Sequence, residues 1–259
     1  GSFLNCSPAI AVVTNIDLEH LDFYGDLEAI RNVFLSFIER IPFYGRAVLC
    51  MDNENSQAII PKVKKRFVTY GTSNHADFRI SNIEIENMRS RFTVSHAKYE
   101  LGQVELNLPG MHNVYNATAA IAVALELNVG FEAIKRALAN LKGVHRRLEV
   151  KGQVNDVIVI DDYGHHPTEI KATLSALSQG YPDKRKVVVF QPHRYSRTRA
   201  LLDGFATAFF ASDTLIVTPI YAASEENVYG IDAEKLCQSI AEHGHRDVRC
   251  AASLEHALE

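Results

Sequence analysis

The sequence predicts an α/β protein built from two successive units, each with a parallel sheet and crossover helices. Three observations predict it. Short continuous apolar runs, such as Ala9–Val13 and Val157–Ile160, alternate with stretches whose apolar residues recur every three or four positions. The chain has 259 residues, 47% hydrophobic and 22% charged, which suits one large packed domain or two ordinary ones. The strand–helix rhythm breaks between Phe78 and Leu108 and restarts after Gly143.

The elements follow in order. Ala9–Thr14 reads as a buried parallel strand. Asp26 is placed to cap a helix in which Leu27, Ile30, Val33, Phe34, Phe37, Ile38 and Ile41 form one apolar face. Pro42 and Gly45 end it. Ala47–Met51 predicts a strand, Ser56–Val63 a short helix and Arg66–Tyr70 another strand. Phe78–Leu108 alternates polar and apolar residues, which predicts antiparallel hairpins joined to the sheet. His112–Leu127 and Phe131–Leu141 read as helices. In the second unit, strands are predicted at Val157–Asp161, Lys186–Phe190, Leu215–Thr218 and Asp247–Cys250. Helices are predicted at Pro167–Ser178, Arg199–Ala211 and Asp232–His243, a doubly wound pattern. Leu254–Glu259 reads like the first turns of a further helix.

Composition removes several functional classes. With 27 basic against 31 acidic residues, no basic excess points to nucleic acid or an anionic membrane. No apolar run approaches a membrane span, and no signal peptide leads the chain. Cys6, Cys50, Cys237 and Cys250 are widely spaced without a CxxC, which fits a reducing cytoplasm. The sequence has no HExxH, GxSxG, GxGxxG or GxxxxGK[ST], so zinc-hydrolase, serine-hydrolase and nicotinamide-dehydrogenase readings lack support.

Five polar segments stand at strand ends, a helix start or the unit boundary. Thr14–Asp22 places His20 between Glu19 and Asp22, which suits a divalent metal, a phosphate or a solvated capped loop. His112 and Asn116 share a helix face with Asn113 nearby; their donors and acceptors suit a purine edge or ordinary capping. His145-Arg146-Arg147-Leu148-Glu149 offers two guanidiniums to phosphate oxygens or to an interdomain ion pair. Asp161-Asp162-Tyr163-Gly164-His165-His166-Pro167 gathers two acids and two imidazoles at a strand end before a helix, a pattern of functional sites. Gln191-Pro192-His193-Arg194-Tyr195-Ser196-Arg197 sets His193 beside two anion-binding arginines.

Taken in order, these segments resemble the ATP-dependent Mur ligases of peptidoglycan synthesis. The carrying residues are Thr14-Asn15 with Glu19-His20-Leu21-Asp22, Gly110-Met111-His112-Asn113 with Asn116, Arg146-Arg147-Leu148-Glu149 and Asp161 to Pro167. The form Tyr163-Gly164-His165-His166, together with Gln191 to Arg197, is most similar to the member that joins L-alanine to UDP-N-acetylmuramate. The resemblance implies a central ATPase domain over 1–144 and a Rossmann-like C-terminal domain over 145–259. It implies ATP and magnesium as cofactors and those two molecules as substrates. His20 then matches a magnesium ligand. His112, Asn113 and Asn116 match adenine-side contacts, and Arg147 and Asp162 match contacts to phosphate and ribose. Tyr163, His165, His193, Arg194 and Arg197 match the region holding the amino acid and acyl group, with His165 and His193 as candidate bases. It further implies a bacterial cytoplasmic location.

The family's phosphate loop is absent from these residues, as are its acidic magnesium ligand and its UDP-sugar domain. The expectation is therefore an incomplete central domain and a C-terminal domain missing its end, unable by itself to ligate. Other readings are a murein-peptide-recycling ligase of the same family, a non-catalytic nucleotide-binding module, and a structural domain whose polar clusters are hinge contacts.

Overall fold

A computed structural model describes residues 2–18, 24–86 and 88–258. The chain divides into two compact units, Gly1–Lys142 and Gly143–Glu259.

The first unit is a six-stranded sheet whose strands lie in sequence order. β1 (Ile10–Val13), β2 (Arg46–Cys50) and β3 (Phe67–Gly71) are parallel, with Ile10 opposite Arg46 and Ala47 opposite Phe67. α1 (Leu27–Glu39) and α2 (Glu54–Ile59) make the crossovers. Asp26 caps α1 by accepting from the Ala29 N–H at 2.8 Å. The chain then re-enters the sheet through Gly45. A Cβ there would lie 2.2 Å from the Ala9 carbonyl oxygen, so only glycine fits.

Alternation along β2 serves both faces of the sheet. Ala47 and Leu49 join Ile30, Ile38 and Ile41 of the α1 side. Val48 and Cys50 join the opposite core, under α3 (Met111–Glu126) and α4 (Phe131–Ala139). That core also takes Phe92, Val94, Val104 and Leu106 from the antiparallel meander β4 (Phe78–Glu86), β5 (Arg89–His96) and β6 (Tyr99–Leu106). Each buried Val, Leu, Ile or Phe contributes about 1.5–3 kcal/mol by leaving water, so these two layers hold the sheet and its helices together. β4 joins β3 in parallel through Tyr70–Phe78 and Gly71–Arg79. The tight connection is tied by Asp77, which accepts from the Thr69 N–H and hydroxyl at 2.8 and 2.9 Å.

The second unit holds a hairpin of β7 (Glu149–Val154) and β8 (Val157–Asp161) and a separate three-stranded parallel sheet of β9 (Val187–Phe190), β10 (Thr214–Val217) and β11 (Val248–Cys250), in which β10 lies between β9 and β11. Phe190, Leu215 and Val217 pack with Phe205, Phe209, Leu236 and Ile240 and with Ile170 and Leu174. The helices are α5 (Pro167–Gly180), α6 (Tyr195–Ala200), α7 (Leu202–Ala206) and α8 (Ala233–Glu242).

Three local expectations change. Val157–Asp161 is a strand (β8), but it pairs antiparallel with β7 (Glu149–Val154), for which no strand is predicted. Glu149–Val154 is mostly polar and exposed, so no apolar run announces it. The predicted helix Arg199–Ala211 is instead two short helices meeting at Leu201. Gly204 of α7 approaches so near α5 that a Cβ would lie 3.0 Å from Pro167 Cγ. Leu254–Glu259 yields only a 3-10 turn, His256–Leu258. Among the described residues no helix is long and apolar enough to cross a membrane.

Candidate functional site

In the first unit the polar residues gather where the parallel strands end, as ligand sites do in open α/β sheets. His20 and its neighbours Glu19 and Asp22 lie outside the described residues. The loop leading to them is held at Ile16: its N–H donates to Asn53 at 3.1 Å, and its carbonyl accepts from Asn55 at 2.8 Å. Among the described residues no group of three or more His, Cys, Asp or Glu is arranged to hold a metal.

His112 and Asn113 sit half-buried in the first turn of α3, and Asn116 is exposed one turn on. The Asn113 amide donates to the Pro109 carbonyl at 2.8 Å, so it closes the helix start and keeps its own carbonyl oxygen for another partner. Gly110 enters the helix at φ 94°, a left-handed value suited to glycine.

Asp52, which nothing in the sequence singled out, is the most connected polar residue of this region. It accepts from Thr72, Ser73 and Tyr115. Burial works against its ionisation, but these donors more than offset that and hold the carboxyl below its usual range. Burial pushes the Cys50 thiol and the Tyr70 and Tyr115 phenols up, so they stay neutral around it.

In the second unit β8, β9 and β10 end in one cluster. Asp162, just past β8, accepts from the Leu148 N–H at 2.9 Å, the Gly164 N–H at 2.8 Å and the Thr173 hydroxyl at 3.2 Å. Tyr163 follows, with the Arg146 guanidinium 4.8 Å from its ring centre and the Arg147 guanidinium at 5.8 Å. Arg147 also pairs with Glu169 at 3.2 Å. Rings then run in series: Tyr163 to His165 at 5.2 Å, His165 to His193 at 6.3 Å, His193 to Tyr221 at 5.3 Å.

Partners set the imidazole tautomers. His165 Nδ1 lies 3.0 Å from the Tyr163 carbonyl oxygen, an acceptor, so Nδ1 carries the proton and Nε2 is left to accept. His193 Nδ1 lies 3.4 Å from the Arg197 guanidinium, a donor, so its proton sits on Nε2. Burial and the charges of Arg197, His165 and Arg194 lower the His193 pKa, which keeps it neutral at pH 7.

Glu169 accepts from the backbone N–H groups of His165 and His166 at 3.0 and 3.2 Å. With His166 accepting from Thr168, this makes a capping box that aims α5 at the cluster. Arg194 takes φ 72°, strained for a residue with a side chain, at the N-terminus of α6. Its guanidinium lies 3.8 Å from Glu225, which also accepts from the Ser196 N–H and hydroxyl at 3.0 and 2.7 Å. At the boundary, Glu149 is pulled down to about 2 by the Arg146 N–H, Lys151 and His145.

The structure thus gathers Arg147, Asp162, Tyr163, His165, His193 and Arg197 with Arg194 at the edge. Glu169, Tyr221 and Glu225 belong to the same cluster. Tyr221 and Glu225 carry no sequence signal, because each acts as a lone residue on another segment, whereas Glu169 stands three residues after the His166 cap, the spacing of a capping box.

Two α/β units with polar clusters at their strand ends are the architecture this chain shares with the Mur ligases. The Mur ligase middle domain matches residues 2–124, and the Mur ligase glutamate ligase domain matches residues 146–259; the chain belongs to the Mur ligase family. Over 258 residues it is 59% identical to the UDP-N-acetylmuramate–L-alanine ligase of Desulforapulum autotrophicum. Over 259 residues it is 54% identical to that of Desulfatibacillum aliphaticivorans. All of the chain is covered in both matches, but only 57% of either relative. The solved UDP-N-acetylmuramate–alanine ligase of Thermotoga maritima superposes with a TM-score of 0.75 at 25% identity, over 96% of this chain and 52% of that one. MurF of Acinetobacter baumannii shares the fold at a TM-score of 0.80 and 22% identity, over 99% and 53%.

Proposed function

We propose that this chain forms part of a bacterial, cytoplasmic enzyme that uses ATP to ligate L-alanine to UDP-N-acetylmuramate. Residues 1–144 supply the later part of its central ATP-binding domain and residues 145–259 its C-terminal domain. The observation that carries this reading is the 59% identity to the Desulforapulum autotrophicum ligase across 258 residues.

The chemistry suits the residues. A carboxylate resists attack by an amine until ATP phosphorylates it and supplies a leaving group. The L-alanine amine then adds to the acyl phosphate, and collapse of the tetrahedral adduct gives the amide and inorganic phosphate, with ADP left from the first step. Magnesium, with His20 among its ligands, would offset phosphate charge when bound.

His112, Asn113 and Asn116 contact the adenine edge, and Arg147 a phosphate. A carboxylate has about four lone-pair sites, of which Asp162 uses three on its own chain, leaving one for a ribose hydroxyl. Arg194 and Arg197 hold the carboxylate of L-alanine and the acyl oxygens. His165 Nε2 takes a proton from the L-alanine ammonium and so frees the amine lone pair that attacks, while His193 Nε2–H donates to the developing oxyanion. Tyr163 walls the cluster and keeps the two guanidiniums beside it.

The test is a chimera in which the unmatched parts of the Desulforapulum autotrophicum ligase are joined to this chain. Phosphate release that needs ATP, UDP-N-acetylmuramate and L-alanine together supports the reading. Release indifferent to L-alanine, or faster with an L-alanyl tripeptide, overturns it.

A further inference from the structure

Asp52 lies in the turn between β2 and α2. Its Oδ2 accepts from the Thr72 N–H at 2.6 Å, the Thr72 hydroxyl at 2.7 Å and the Tyr115 hydroxyl at 2.8 Å. Its Oδ1 accepts from the Ser73 N–H at 3.3 Å. One carboxylate therefore ties together the ends of β2 and β3 and the second turn of α3. The approach is close: a Cβ on Gly71 would sit 2.4 Å from Asp52 Oδ1. Asn53, the N-cap of α2, and Asn55 in its first turn hold the loop after β1 at Ile16.

Tyr115 follows His112 by three positions and directly precedes Asn116. α3 is already fastened by its apolar face, through Val114, Ala117 and Ile121. Such contacts are non-directional and tolerate small rotations or slides of the helix. A hydrogen bond to an ionised carboxylate is directional and fixes one position.

We propose that Asp52 is a positioning residue for nucleotide binding: by holding Tyr115 it sets the rotation and depth at which His112 and Asn116 meet the adenine edge, without touching the nucleotide itself. The inference rests on the adenine reading of those residues. It predicts that Asp52 and Tyr115 act as one unit.

The experiment has two arms. On the 259-residue chain, ring-carbon NMR of labelled tyrosine follows the Tyr115 phenol; D52N brings its ionisation down toward the ordinary value of about 10. In the chimera, D52N and Y115F each raise the KM for ATP about tenfold while kcat stays within about twofold, and the double variant is no worse than either single one. D77N, which loosens a comparable clamp onto Thr69 elsewhere in the sheet, leaves the KM for ATP unchanged. An unmoved phenol, an unchanged KM in D52N or an equal KM shift in D77N overturns the proposal. A wild-type chimera without ATP turnover overturns the functional reading and, with it, the adenine role assigned here.

Discussion

The Asp162 carboxylate accepts a hydrogen bond from the Leu148 backbone N–H at 2.9 Å, and Leu148 is buried at φ 48°. A left-handed leucine is costly, by about 1–2 kcal/mol. The bond holds that conformation, and with it the path of the chain from Arg147 into β7. Asp162 is thus part of the scaffold of its cluster as well as a candidate ligand contact.

Replacing Asp162 with Ala should destabilise the second unit by about 1.5–3 kcal/mol, the range for a lost hydrogen bond to a charged group. Urea unfolding of the chain without any ligand measures this. A stability equal to wild type would show that Leu148 keeps its conformation unaided.

Gly45 and Gly152 should respond in opposite ways to the same change. At Gly45 a Cβ meets the Ala9 carbonyl oxygen at 2.2 Å and Ile41 Cγ2 at 2.6 Å, so Gly45→Ala costs about 3 kcal/mol. At Gly152 a Cβ meets nothing within 4 Å, and Gly152→Ala shifts stability by less than about 1 kcal/mol, toward the folded state. Paired melting curves check both.

His193 gives a pH dependence with a definite sign. Its folded pKa is lowered, by burial first and then by Arg197, His165 and Arg194. The stability tied to its neutral form is therefore complete above the unfolded value of about 6.5 and is lost as pH falls through the lower folded value. His193→Gln should flatten the loss of stability on acidification below pH 6.5. Arg197→Ala should move the His193 titration midpoint upward in an NMR pH series. A midpoint that stays put would show that the Arg197 charge does not act on His193.

Glu169 serves the cap of α5 and the Arg147 guanidinium together. Glu169→Ala should cost about 1 kcal/mol of stability through the cap alone. In the chimera it should also weaken ATP use, because Arg147 loses the partner that restrains it. Lost stability with unaltered ATP kinetics would confine Glu169 to the cap.

Much of the fold was legible because burial writes itself into the sequence. Parallel strands such as Ile10–Val13 and Val187–Phe190 are apolar runs, and α1 shows its face through Ile30 and Ile38. β7 was not legible, since Glu-Val-Lys-Gly-Gln-Val lies on an exposed hairpin where no face needs to be apolar. The candidate site was legible where polar residues follow one strand in a row, as from Asp161 to His166 or His193 to Arg197. It was illegible where one residue meets a distant one. Asp52 and Tyr115 are 63 positions apart, and only the register of β2, β3 and α3 brings them together. Glu225 meets Ser196 across 29 positions in the same way.

These residues are proposed to serve amide ligation of L-alanine to a muramoyl carboxylate. The most direct measurement is inorganic phosphate released by the chimera with ATP and UDP-N-acetylmuramate, with and without L-alanine. Release should depend on L-alanine and fall at least about a hundredfold in His165→Ala, the magnitude of a lost general base. Release that ignores L-alanine, or a His165→Ala chimera as fast as the parent, would contradict it.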